Sequence, residues 1–402
     1  NSCRICYTKK LKKLFSLGNL CFTGKFPSHN QKIKKKPIQV VMCNNCGLVQ
    51  LEHNFDLKYL YGPDYGYRTG INKTMLSHVE SVVINLTKKA KLKRRDLVLD
   101  IASNDGSLLN FYNKKVVTFG IDPILNKYKE NYKNINYKVK DFFSLKKIKS
   151  KTNKKFKIIT ALSVFYDAKN PNKFINDVKN ILSKDGIFML EFADLSSIIK
   201  FKMFDTVCHE HLEYYSTRVI IDLCKKHSLH VFDIKQNNIN GASKQFFICH
   251  DNSKYKINHE KIDKILKNEN KLKLLNIETY KKFMKIIDKS KNILLEKLKF
   301  LKKNGKKIHC YGASTKGNVL LQYYGIDNKI IEYAAERNRS KYNLYTPGTK
   351  IKIISEERSR SLGPDYYLVL PWHFKKEILI RESKIRKKGV KFIFPLPKLE
   401  II

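Results

Sequence analysis

The chain has 402 residues, of which 42% are hydrophobic, 11% aromatic and 29% charged, with a formal net charge of +44. That length exceeds one ordinary core and predicts two or three packed units, and the composition excludes wholesale disorder. No run of about 18 apolar residues exists to span a bilayer, and Asn1-Ser2-Cys3 lacks the basic-then-apolar layout of a signal peptide. The lysines are spread along the whole length with abundant Asn and Ile, so the charge reads as a solvated, Lys-rich face rather than a built polyanion site. No membrane or nucleic-acid partner is expected, and a single chain is the expected working unit. The nine cysteines, four of them in two C-x-x-C pairs, suit a reducing compartment and predict a cytoplasmic protein.

Residues 1–75 hold both cysteine pairs, short strand-like runs such as 38–42 and a turn at Tyr61-Gly62-Pro63-Asp64, with no long helical period. Cys3-x-x-Cys6 and Cys43-x-x-Cys46 have the spacing of two knuckles that close a tetrahedral four-thiolate Zn²⁺ site. Four protein ligands leave no open coordination position, so the metal is expected to be structural. Over 76–253, strands at 97–101, 117–121, 158–162, 186–191, 231–234 and 245–249 alternate with helical segments, which predicts a sheet flanked by helices. Residues 254–304 read as one or two long amphipathic helices joining two domains. Residues 305–402 then begin with a strand running into Gly312-Ala313-Ser314-Thr315-Lys316-Gly317. Strands recur at 330–334, 366–370 and 391–394, as in a second α/β unit.

The chemistry is concentrated at a few points. Leu97-Val98-Leu99-Asp100-Ile101 is an apolar strand ending in an acid, followed by Ala102-Ser103-Asn104-Asp105-Gly106 and the start of a helix. Small residues let the backbone approach a ligand, and free helix N–H groups sit there. With a single Gly, this is not the dinucleotide G-x-G-x-x-G, and an ordinary βα turn with a capping Asp would look similar. Two further matches in chain order favour S-adenosylmethionine (AdoMet): Gly120-Ile121-Asp122-Pro123, whose acid can accept both ribose hydroxyls, and Asp141-Phe142-Phe143, an acceptor and a ring for adenine. Phe204 to Tyr215 holds Cys208-His209-Glu210-His211 among carboxylates and phenols. Such a cluster suits a general base above a structural hydrogen-bond network or a metal site, since it lacks the i, i+4 histidine pair.

These stretches, with Cys46-Gly47-Leu48-Val49-Gln50, Asn240-Gly241-Ala242-Ser243, Tyr311 to Asn318, Tyr345 to Thr349 and Leu370-Pro371-Trp372-His373-Phe374, resemble the AdoMet-dependent C-methyltransferases of nucleotide-linked deoxy-keto-sugars. The resemblance implies an α/β architecture: a zinc module (1–75), a class I Rossmann-like AdoMet domain (76–253), a helical linker (254–304) and a C-terminal Rossmann-like domain (305–402). It implies His211 as the base that removes a proton beside a ketone, Glu210 as the neighbour that orients or tunes it, and Tyr65 or Tyr67 at the sugar or enolate oxygen. AdoMet would meet Asp100, Ala102, Asn104, Asp105, Gly106, Asp122, Pro123, Asp141, Phe142 and Ser163; the acceptor would meet His209, Tyr215, Asn240 and Lys316. A loop-capping role fits Lys316 equally well. Two positions depart from the family pattern: Cys208 stands where Tyr is usual, and Asp167 where His is usual. They leave an oxygen or nitrogen acceptor as a rival to carbon.

Overall fold

The computed structural model describes residues 1–62 and 65–402. Pro63 and Asp64, half of the turn expected at 61–64, lie outside the described residues. Among the described residues seventeen strands form three sheets. The first is antiparallel, in the order β1 (Leu11–Cys21), β2 (Lys35–Cys43), β3 (Val49–Leu51) and β9 (Glu213–Tyr214). Sequence patterning missed the length of β1, and its register shows why. Irregularities between Lys13 and Phe15 and between Ser16 and Gly18 break the two-residue alternation, so the buried Leu14, Leu17 and Leu20 fall three apart, a helix-like spacing.

The second sheet comprises β4 (Leu97–Ile101), β5 (Val117–Ile121), β6 (Tyr137–Val139), β7 (Phe156–Leu162), β8 (Leu182–Phe192), β10 (Leu229–Asn237) and β11 (Ser243–His250). Its order is β10-β11-β8-β7-β4-β5-β6, with β11 antiparallel to both neighbours and the other pairs parallel. The chain steps outward from β4 to β5 and β6, then returns to place β7 on the opposite side. The carboxyl ends of β4 and β7 therefore flank a topological switch point, where open α/β sheets bind ligands. The fully apolar β4 interior, LVL, suits a strand covered on both faces.

The third sheet runs β14 (Lys352–Ser355), β13 (Tyr333–Glu336), β12 (Ile308–Tyr311), β15 (Tyr366–Val369), β16 (Lys391–Phe394) and β17 (Glu400–Ile401), with a second switch point between β12 and β15. The strand expected at 330–334 lies instead at Tyr333–Glu336, because Asp327 caps a turn through Ile330 and Ile331. Helices His259–Lys271 and Ile277–Lys303 occupy the stretch between the sheets. The longer one buries Tyr280, Phe283, Ile287, Leu294, Leu298 and Leu301.

The first and third sheets share one apolar core through that helix, while two other clusters cover the faces of the second sheet. Gln322 stitches them at backbone level, accepting from the Cys21 N–H at 2.7 Å and donating to its carbonyl at 3.2 Å. Among the described residues no helix is long and apolar enough to cross a membrane.

Candidate active site

A cavity of about 560 Å³ opens where the carboxyl ends of the second and third sheets meet, with Leu57, Tyr61 and residues from 65–72 of the N-terminal region along one side. Its cofactor-side wall is built by the turn after β4. Asp100 stands level with Thr160 of β7 and accepts its hydroxyl at 2.6 Å; burial lifts its carboxyl to about 7. Ala102 and Asn104 both adopt left-handed backbone, φ +57° and +50°, which folds the turn tightly. This lets the Asn104 N–H reach Asp122 Oδ2 at 2.8 Å, while the Ile124 N–H holds Asp122 Oδ1 at 2.8 Å. Asp100, Ala102, Asn104, Asp122 and Pro123 all line the cavity, as do Asp141, Phe142 and Ser163. Asp141 also pairs with Lys147 at 2.6 Å, which holds its carboxyl below the usual range.

Asp105 and Gly106 do not line the cavity, contrary to expectation. The Asp105 carboxylate is fully buried and turned away, accepting from Ser107, from the Gly70 N–H at 2.9 Å and from Arg68 Nε at 3.1 Å. It ties the segment carrying Tyr65 and Tyr67 to the turn. Gly106 is needed for packing: at φ +76°, a Cβ there would lie 2.9 Å from Ile135.

The opposite wall carries the histidine loop. His211 Nδ1 lies 2.7 Å from the Thr206 carbonyl oxygen, which requires the hydrogen on Nδ1 and leaves Nε2 with a lone pair. The Tyr166 ring covers the imidazole at 4.2 Å. Burial, then the nearby Lys316 charge, push its pKa down to about 3, so the ring is neutral. Among the described residues Glu210 makes no hydrogen bond to His211, which the sequence expected it to orient or tune. Its oxygens are taken by the Gly24 N–H at 2.9 Å and the Thr23 hydroxyl at 3.1 Å, because the loop after β1 reaches under it. Glu210 and His211 still share the cavity with Tyr65, Tyr67 and Asn240. Lys316 does so too, and donates to the Asn240 carbonyl at 3.1 Å.

His209 and Tyr215, expected at the acceptor, lie elsewhere. His209 is fully buried between Phe22 and Phe55, with Nε2 3.0 Å from the Lys36 carbonyl. Tyr215 stacks on Phe165 inside the core of the second sheet. Consecutive residues of a turn point in different directions, so a dense motif cannot place all its members in one cavity.

Sequence reasoning assigned no role to Tyr61, Tyr166 or His373 and marked Asp167 only as a departure from the family pattern; all four line the cavity. Tyr166 and Asp167 follow β7, and His373 follows β15. The signal that could have found them is position at the carboxyl end of a strand beside a switch point. The third sheet adds the turn at Gly312 and Ala313, organised by Glu336, which accepts the Ala313 N–H at 3.0 Å. The walls mix charges: Arg68, Lys173, Arg337, Lys341 and Arg381 line the cavity, each paired with a carboxylate.

The cysteine pairs form a separate centre. All four Sγ atoms lie within 4.8 Å of one another, with Cys3 to Cys46 at 3.5 Å and Cys6 to Cys43 at 3.4 Å. Zn–S bonds of about 2.3 Å in a tetrahedron separate sulfurs by about 3.8 Å, so the four thiolates fit Zn²⁺. Backbone N–H groups of Ile5, Cys6, Asn45 and Cys46 point at Cys3 and Cys43 Sγ, as negatively charged sulfurs require. None of the four lines the cavity.

A seven-stranded sheet with one reversed strand, an acid at the carboxyl end of each of its first two strands and a cavity at its switch point define an AdoMet-dependent methyltransferase. Residues 75–233 match the family model described as "Methyltransferase domain", 3–61 the "Putative zinc binding domain" and 238–397 the "C-methyltransferase C-terminal domain". The chain is an AdoMet-dependent methyltransferase that carries these three domains in order, with AdoMet as cofactor and Zn²⁺ in the four-cysteine site. It is 25% identical to the C-methyltransferase NovU of Streptomyces niveus, over 100% of this chain and 97% of that protein. Solved structures similar to it include an S-adenosylmethionine-dependent methyltransferase from Clostridium acetobutylicum, with 13% identity and a TM-score of 0.35 over 44% of this chain and 92% of that one. Another is the magnesium protoporphyrin IX methyltransferase of Synechocystis with bound SAH, with 16% identity and a TM-score of 0.34 over 44% and 88%.

Proposed function

We propose that this enzyme methylates a carbon of a nucleotide-activated keto-sugar in surface-glycan or deoxysugar biosynthesis, with His211 as the base that forms an enolate. The observation that carries this reading is the His211–Thr206 contact, since it leaves an unprotonated Nε2 on a ring that lines the cavity. A sugar C–H is acidic enough for an imidazole only beside a carbonyl, which is why the acceptor is a ketone. Tyr65, with Tyr67 as its alternate, contacts the sugar or enolate oxygen, while Lys316 and Asn240 hold the acceptor.

AdoMet supplies an electrophilic methyl group. Asp100, Ala102, Asn104, Asp122, Pro123, Asp141, Phe142 and Ser163 hold it, and Asp122 keeps unused lone pairs for the ribose beside its two N–H contacts. We assign 1–75 to the zinc module, 76–253 to AdoMet, 254–304 to a helical spacer and 305–402 to the acceptor's nucleotide. The working form is a cytoplasmic monomer with a small-molecule substrate and no nucleic-acid partner. Incubation with AdoMet and nucleotide-linked keto-sugars, followed by mass and NMR analysis, tests the reading. A new C–CH₃ carbon supports it; an O- or N-methyl product replaces it with the rival chemistry, and methylated RNA overturns it.

A further inference from the structure

Asp167 is 6% exposed and lines the cavity. Its Oδ2 accepts the Tyr61 hydroxyl at 2.6 Å, whereas its Oδ1 has no partner and no cation pairs with it among the described residues. Of the carboxylates nearby, Glu210 has a donor on each oxygen and Glu213 is paired with Arg4. A carboxylate with few donors in a desolvated site favours its neutral form. Burial is the leading cause that raises the Asp167 pKa well above the usual carboxylate range, with the Glu210 charge adding to it. Once protonated, Asp167 has one oxygen occupied by Tyr61 and one O–H with no protein acceptor. A buried donor left unpaired is costly, so a ligand acceptor is what it lacks.

We propose that Asp167 is a catalytic residue that donates a hydrogen bond, as a neutral carboxylic acid, to the carbonyl oxygen of the methyl acceptor. This rests on the ketone reading above. His211 Nε2 takes the α-proton, the C–H electron pair becomes the enolate, and the charge on its oxygen is met by the Asp167 O–H, which keeps its proton. The enolate carbon then takes the methyl group, and the electrons of the broken C–S bond stay on sulfur. Asp167 stands where His is usual in the family pattern, and burial, with the Glu210 charge adding to it, favours its neutral form.

The test has two independent arms. Infrared difference spectra of the whole enzyme at neutral pH, wild type minus Asp167→Asn, should show a carboxylic-acid C=O band that shifts when a nucleotide-diphosphate-linked keto-deoxyhexose is added. Absence of the band overturns the proposal whatever the substrate, and a band that ignores the ketone overturns the donation. In turnover of the same sugar, Asp167→Ala should lose about 100- to 1,000-fold in kcat with little change in KM, whereas Asp167→Asn, which still donates, should stay within about 10-fold. Equal losses in the two variants would make Asp167 an ionised base instead. Tyr61→Phe should lose less than Asp167→Ala; an equal loss would reduce Asp167 to a tether for Tyr61. If the wild type fails to methylate the sugar while the infrared band is present, the substrate reading falls and the proton on Asp167 stands.

Discussion

His211 Nδ1 and the Thr206 carbonyl oxygen lie 2.7 Å apart within one turn of the histidine loop, so the chain fixes the tautomer of its own candidate base. With the pKa depressed to about 3, the imidazole is neutral across the physiological range. Replacement of His211 by Ala or Asn should cut kcat about 100- to 10,000-fold while AdoMet binding, read by calorimetry, holds. Because an unfolded histidine takes a proton near pH 6.5 that the folded one refuses, its contribution to stability should be full above that pH. It should decline as the pH falls from about 6.5 toward about 3, which acid titration of unfolding can follow.

Lys316 is the charge that acts on His211 after burial. In Lys316→Met that repulsion is gone, so the His211 pKa should rise toward its ordinary value. The acid limb of the pH–rate profile should move up with it. An unmoved limb would remove Lys316 from the electrostatics of the base.

Trp372 Nε1 donates to Asp205 Oδ2 at 2.8 Å, joining the turn after β15 to the histidine loop. Trp372→Phe keeps most of the ring but leaves a buried carboxylate without its donor, which should cost about 1–3 kcal/mol in thermal or denaturant unfolding.

The zinc knuckle reaches the same loop by another route. Arg4, between Cys3 and Cys6, donates to the Leu212 carbonyl at 3.3 Å and pairs with Glu213 at 3.3 Å, both buried. Elemental analysis should find one Zn²⁺ per chain, and chelation or Cys6→Ser should lower the melting temperature. Activity should fall with it, although no cysteine lines the cavity.

Lys244 is a fully buried cation that meets Asp194 at 2.8 Å, with Ser196, Thr217 and Glu269 around it. Lys244→Met should destabilise the fold by about 3–5 kcal/mol, because two buried carboxylates lose their counter-charge. Asp194→Asn in the same background should recover part of that, measured in a double-mutant cycle.

The chain's local chemistry was legible without a structure wherever short-range pattern suffices. An apolar run ending in Asp100, a second ending in Asp122 and two knuckles of fixed spacing each depend on residues a few positions apart. Direction was not legible. Whether Glu210 faces His211 or Thr23, and whether His209 faces the cavity or Phe22, depends on the loop after β1, which is distant in sequence. The bulged β1 was also obscured, because its irregular register hides the alternation. The sequence by itself determined the methyl donor, the zinc site and the order of domains, since backbone turns and ligand spacings are local properties. Only the tertiary structure decided that two switch points open onto one cavity, that Thr206 holds the His211 ring, and that Asp167 sits there with an unpaired oxygen. Those facts come from burial and from contacts between distant segments, which packing alone creates.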